Sequence, residues 1–245
     1  MGSRVAQLNK WFNTPLGKRL LSEETDALQQ ILPDLFGYHL LQIGSMGTDH
    51  HLESSRIMHR CILNQSVQLT DNSYSNIYAL ANALPFAQDS LDVVILPHIL
   101  EFEDRPHEVL REVERILIPE GHVIILGFNP FSLWGILRWF MARRHAAPWC
   151  GRFLPLLRLK DWLTLLSFEL KKQQTLFFAL PFHNDRFKNY TKLLEKIGSR
   201  WTGNFGAVYI LIARKRSATL TPIKSRWQLQ QPLVPNAIGT HFEEN

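Results

Sequence analysis

The sequence is poor in cysteine, lacks any long apolar run, and over one stretch lacks acidic residues altogether. Its 245 residues include only two cysteines, Cys61 and Cys150, far apart and in no Cys-x-x-Cys pair. That pattern excludes a disulfide framework and a cysteine-rich zinc site. No run reaches the roughly 18 apolar residues of a membrane span. Met1 to Lys10 is polar, so no secretory leader is expected and a cytoplasmic location is the default expectation. His50-His51 and Glu53 lack a third spaced ligand, and no metal site is expected. No internal repeat is present. What remains is an ordinary globular composition, 45% apolar and 20% charged, enough to build one sizeable core. The net charge of +5 conceals a split. Residues 1–120 hold 16 acidic and 9 basic residues, whereas residues 121–245 hold 6 and 18. Either an anionic partner lies beside the second half, or the two halves face each other across one fold.

Along the chain, residues 1–36 read as an N-terminal helical segment. Thr14-Pro15 suits a helix start. Leu16, Leu20 and Leu21 recur at helical spacing, and Ser22-Glu23-Glu24 has the acidic character of a further first turn. Leu28, Ile31 and Leu32 supply the apolar face, and Pro33 and Gly37 close it. Tyr38 to Gly44 reads as a short strand ending in glycine. Arg60 to Asn64 and Asn76 to Leu80 are the next candidate strands. Leu91 to Leu96 is an apolar run of the kind buried on both faces of a parallel sheet. Pro106 opens a helix lined by Val109, Val113, Ile116 and Leu117, and Pro119-Glu120-Gly121 ends it. His122 to Phe128 is another buried strand. This strand–helix–strand unit implies a parallel sheet with a right-handed crossover. Leu159 to Phe168 reads as a helix, and Leu170 to Leu180 and Ala207 to Arg214 as strands. Residues 217–245, with Pro222, Pro232 and Pro235, read as an extended tail.

The segment Leu84-Pro85-Phe86-Ala87-Gln88-Asp89-Ser90-Leu91-Asp92-Val93-Val94 resembles the type 11 family of class I methyltransferases dependent on S-adenosylmethionine (SAM). The resemblance continues through Leu96-Pro97-His98-Ile99-Leu100-Glu101 and through Leu110 to Gly121. Leu41-Gln42-Ile43-Gly44 and Gly127-Phe128-Asn129-Pro130 are similar to a bacterial subgroup. The family implies a Rossmann-like, three-layer αβα fold with a mostly parallel seven-stranded sheet, here over residues 37–216. It also implies SAM lying across the carboxyl ends of the first strands, the edge where open α/β sheets bind ligands. By this resemblance the cofactor-binding candidates are Gln42, Gly44, Ser45, Gly47, Asn64, Asn82, Ala83, Leu84, Pro97 and His98. His98 is also the candidate general base, because donor and acceptor meet after the fourth strand in the family. A packing role is its alternative.

The chain departs from the family at three polar positions. Gln42 replaces an acid, Asn64 stands where a carboxylate usually receives the ribose hydroxyls, and Leu80 stands where an Asp contacts the adenine amine. Gly44 keeps the register of the glycine motif and Gly47 is shifted by one. Residues 131–160 form a basic aromatic insertion. They hold Arg138, Arg143, Arg144, Arg152, Arg158 and Lys160 among Trp134, Trp139, Phe140, Trp149 and Phe153, with no acidic residue. A substrate lid is the preferred reading, and a membrane surface or nucleic acid would also suit it. Three functions follow: a methyltransferase acting on an unidentified acceptor, small molecules included; a non-catalytic binding protein with a decayed SAM site; or an RNA-binding or RNA-modifying protein.

Overall fold

The computed structural model describes residues 2–46, 49–65, 74–141, 147–177 and 206–217. Two helices open the chain, α1 (Gly2–Phe12) and α2 (Pro15–Ile31). Thr14 caps α2 as its sequence predicts. Its hydroxyl accepts from the Gly17 N–H at 3.1 Å, and Pro15 occupies the first turn, where no N–H is needed. The Ser22-Glu23-Glu24 run does not start a new turn. α2 passes straight through it, because Leu20, Leu21, Ala27, Leu28 and Ile31 form one buried stripe on either side. That continuity carries Glu24 onto the buried face.

Next come β1 (His39–Ile43), β2 (His59–Asn64), β3 (Ser75–Tyr78) and β4 (Leu91–Pro97). They are followed by α3 (Pro106–Ile116), β5 (Leu117–Phe128), α4 (Leu133–Met141), α5 (Leu156–Leu165), β6 (Phe168–Leu176) and β7 (Val208–Lys215). The strands form a seven-stranded sheet in the order β3-β2-β1-β4-β5-β7-β6. β1 to β5 pair in parallel, and β7 is antiparallel to both neighbours. One face packs Leu40, Ile62 and Ile95 against Leu28 of α2 and Trp134 of α4. The other packs Leu41, Leu63 and Val94 against Val113 of α3 and Leu159 of α5. This is the expected three-layer αβα arrangement. Each such fully buried Leu, Ile or Val contributes about 1.5–3 kcal/mol. Among the described residues no helix is long and apolar enough to cross a membrane. Apart from Ser217, the tail lies outside the described residues.

α3 stops before Pro119-Glu120-Gly121, which lie inside β5. Leu117 already pairs with Leu91 of β4, so the strand begins five residues early. Several motif residues turn out to hold elements together. Asp92 accepts from the N–H groups of Tyr38 and His39 at 3.0 and 2.9 Å, fixing the start of β1 to β4. Arg115 donates to the carbonyls of Leu84 and Phe86 at 3.1 and 2.9 Å, while Glu112 accepts from the Leu84 N–H at 3.1 Å. The Leu-Pro-Phe turn is thereby clamped onto α3. Residues 79–90 join β3 to β4 without a helix. A groove of about 340 Å³ lined by His39, His59, Cys61 and Phe86 lies there, at the amino ends of β1 and β2.

Candidate active site at the carboxyl edge of the sheet

Because β1, β2, β4 and β5 run parallel, Asn64 at the end of β2 shares one edge with Gly44, His98 and Asn129, which follow β1, β4 and β5. Gly44 has φ +91°, a conformation that favours glycine. A Cβ there would sit 2.7 Å from Ile99 Cδ1. Its N–H donates to Leu63 O at 2.7 Å, tying the turn to β2. Gln42 is buried beneath it. The Gln42 amide donates to Gly44 O at 2.8 Å and to Asp49 Oδ1 at 2.7 Å. Its Oε1 lies 2.7 Å from His51 Nε2. Asp49 also accepts from the Ser45 hydroxyl at 3.0 Å and from the Met46 N–H at 3.2 Å. Gln42, a cofactor-binding candidate in the sequence, thus uses both its amide hydrogens and its Oε1 within the loop. Gln42 instead builds the loop. Burial pulls the pKa of His51 down to about 4, against the attraction of Asp49. His51 is thus neutral and donates from Nε2. Met46 is buried in the core, and Gly47 lies outside the described residues.

At the end of β2, the Asn64 amide faces Asn76 Oδ1 at 3.4 Å. The next residue, Gln65, donates its amide to the Glu103 carboxylate. β1 lies between β2 and β4, so this contact spans the edge beyond β1. Glu103 is buried, and sequence reading missed it. Nothing in Glu101-Phe102-Glu103-Asp104 shows which of these acids reaches across to β2. Asn82 and Ala83 are exposed on the turn after β3, and Leu84 is buried. The Ala83 N–H is bonded to Leu80 O and the Leu84 N–H to Glu112. These two peptide donors, expected to face a ligand, are used within the fold.

Pro97 ends β4 and is buried. His98, with φ +53°, is fully buried. Its Nε2 lies 2.8 Å from Glu24 Oε1 and its Nδ1 lies 3.6 Å from Glu101 Oε1. The ring packs tilted on Phe128, with centroids 4.3 Å apart. Burial alone would lower the His98 pKa, but the two carboxylates outweigh it and push it up to about 10. An imidazolium has no lone pair with which to accept a proton. His98 in this state is therefore not the expected general base. Glu101 also accepts from the Phe128 N–H, joining β4 to β5. Glu24 was legible as an anomaly, a charge on an apolar helical stripe. Its partner was not, because 74 residues separate them. His50 and Glu53 form an exposed pair, and no metal-holding group of three or more ligands occurs among the described residues.

Residues 50–125 match the family described as "Methyltransferase domain", a match that begins beyond the glycine turn. The uncharacterized protein YafS of Escherichia coli (strain K12) is 31% identical over 229 residues, 94% of this chain and 90% of that one. A SAM-dependent methyltransferase from Archaeoglobus fulgidus superposes with a TM-score of 0.56 at 17% identity, covering 78% of this chain and 92% of that one. One from Thermotoga maritima gives 0.56 at 19% identity, covering 77% and 87%. Relatedness over nine-tenths of the chain, a matched domain and the shared sheet together mean that this chain belongs to the class I, type 11 methyltransferase-domain family.

Proposed function

We propose that the protein is a SAM-dependent methyltransferase whose donor lies along the carboxyl edge formed by Gly44, Asn64 and Glu103. The observation that carries this reading is the turn at Gly44. It is a Cβ-free, positive-φ turn at the end of β1, in the sheet order of a methyltransferase-domain chain. The residues fit the donor in two respects. Gly44 leaves the backbone approachable. Asn64 and Glu103 bring an amide and a carboxylate to the edge, which replaces in part the missing acid at the end of β2. SAM supplies an electrophilic sulfonium methyl when bound, which leaves the protein mainly to align the reactants and exclude water. Gln42, Asp49 and His51 hold the glycine turn in shape. His98 binds Glu24 of α2 to the end of β4. The acceptor is unidentified.

A second reading, a non-catalytic binding protein, draws support from the Gln65–Glu103 contact, which must open before a donor can lie across β1. Calorimetric titration of cofactor-stripped protein with SAM and with S-adenosylhomocysteine separates the two. Micromolar binding, weakened about tenfold in Asn64→Leu by loss of one polar contact, is the expected result. Absence of binding of either ligand at millimolar concentration would overturn the methyltransferase reading.

A further inference from the structure

Helix α4, Leu-Trp-Gly-Ile-Leu-Arg-Trp-Phe-Met, contains a single charged residue. A helix that is apolar all round is normally buried. This one is not. At about 100° per residue, Trp139, Ile136 and Leu133 fall within an arc of about 120°. Their exposures are 82%, 58% and 47%. The inward arc is taken by Trp134, which stacks on Phe128. The one charge, Arg138, is turned to the protein. Its Nε donates to Gly151 O at 2.7 Å, and its guanidinium lies 5.3 Å from the Phe153 ring centroid. The outward arc of α4 is thus wholly apolar.

The surface continues beyond the helix. Phe131 and Leu157, 64% and 70% exposed, line one cavity of about 140 Å³ together with Lys160. In sequence the stretch up to Lys160 is rich in cations, and the first acid after it, Asp161, is exposed on α5. From Gly121 to Lys160 there is no Asp or Glu, whereas Arg143, Arg144, Arg152, Arg158 and Lys160 are all present. Arg152 and Arg158 are exposed.

We propose that the outward face of α4, continued by Phe131 and Leu157, docks the protein onto an anionic lipid bilayer. An apolar helical arc bearing a Trp, with exposed arginines in the adjoining segment, is the arrangement of a helix lying in a membrane interface. The helix is about 14 Å long, too short to span a bilayer, so it lies in the plane. Nucleic acid fits less well. Leu133 and Ile136 offer no face for base stacking, and the arc itself carries no charge for phosphate. The inference does not depend on methyl transfer.

The test is co-sedimentation of the full chain with vesicles of phosphatidylglycerol and phosphatidylcholine, and with vesicles of phosphatidylcholine alone. Binding at least about tenfold stronger to the anionic vesicles, falling as salt rises, is expected. The double variant Ile136→Glu/Trp139→Glu loses that binding about tenfold or more, with an unchanged circular-dichroism spectrum and unfolding temperature. Leu157→Glu gives a smaller loss. No binding to anionic vesicles would overturn the proposal, as would equal binding by the double variant. So would a result in which the double variant abolishes only self-association or RNA binding.

Discussion

Two buried histidines near the carboxyl edge hold opposite charge states, and each leaves its own mark on stability. His98 has a folded pKa of about 10, above the roughly 6.5 of an unfolded chain. Its stabilisation is complete below about pH 6.5 and is lost progressively as pH rises towards 10. His98→Gln leaves two buried carboxylates without their cation, which costs about 3–5 kcal/mol. Urea unfolding at pH 6.5 is expected to show that deficit, and the gap to wild type narrows towards pH 10. A gap that stays constant would refute the charged state. His51 has a folded pKa of about 4, so its stabilisation is present above about pH 6.5 and is lost as pH falls to 4. His51→Leu strands Gln42 Oε1 and costs about 1–3 kcal/mol at pH 7.5. The same change removes one proton uptake on unfolding between pH 6.5 and 4, so the variant's urea midpoint falls less steeply than that of wild type over this range.

At the scale of elements, the residues that carry the family resemblance act chiefly as fastenings. Asp92 pins the start of β1, and Glu112 with Arg115 pins the Leu84-Pro85-Phe86 turn to α3. Asp92→Ala removes the acceptor of two backbone N–H groups and is expected to lower unfolding free energy by about 1–2 kcal/mol, with Asp92→Asn recovering part of it. Denaturant titration of the two variants checks this. β4 and α3 were legible because their periodicity and their partners are local. Ser22-Glu23-Glu24 carries helix-start residues, but the apolar stripe that runs on through it keeps α2 continuous. The early start of β5 was hidden for a related reason. Pro119 and Gly121 signal a break, but pairing of Leu117 with β4 overrides that signal.

At the scale of the whole molecule, part of the charge split is neutralised within the fold. Lys215 binds Asp89 at 2.9 Å and Glu114 at 3.3 Å, and Arg214 binds Glu120 at 2.6 Å. These pairs join the basic second half to the acidic first half. The cations of residues 131–160 have no acid in their own segment. Ligand binding is read at this scale too. S-adenosylhomocysteine at about 100 times its Kd would stabilise the protein by about 2.7 kcal/mol. For a chain of this size that raises Tm by roughly 5–10 °C. The shift is expected in wild type by scanning calorimetry and is expected to shrink in Asn64→Leu. An unshifted wild type would count against SAM binding.

The sequence by itself determined the succession of strands and helices from β1 to β5 and the parallel character of the sheet they build. Those properties rest on hydrophobic periodicity and on turn residues that act over a few positions. Only the tertiary structure decided which polar groups remain for a ligand. Gln42, Leu84 and His98 looked available in the sequence but are engaged by Asp49, Glu112 and Glu24. Glu103 went unnoticed, yet it reaches the edge through Gln65. A hydrogen bond between residues far apart in sequence leaves no local periodicity. Burial then makes each such bond costly to break, and so fixes which groups are available to a ligand.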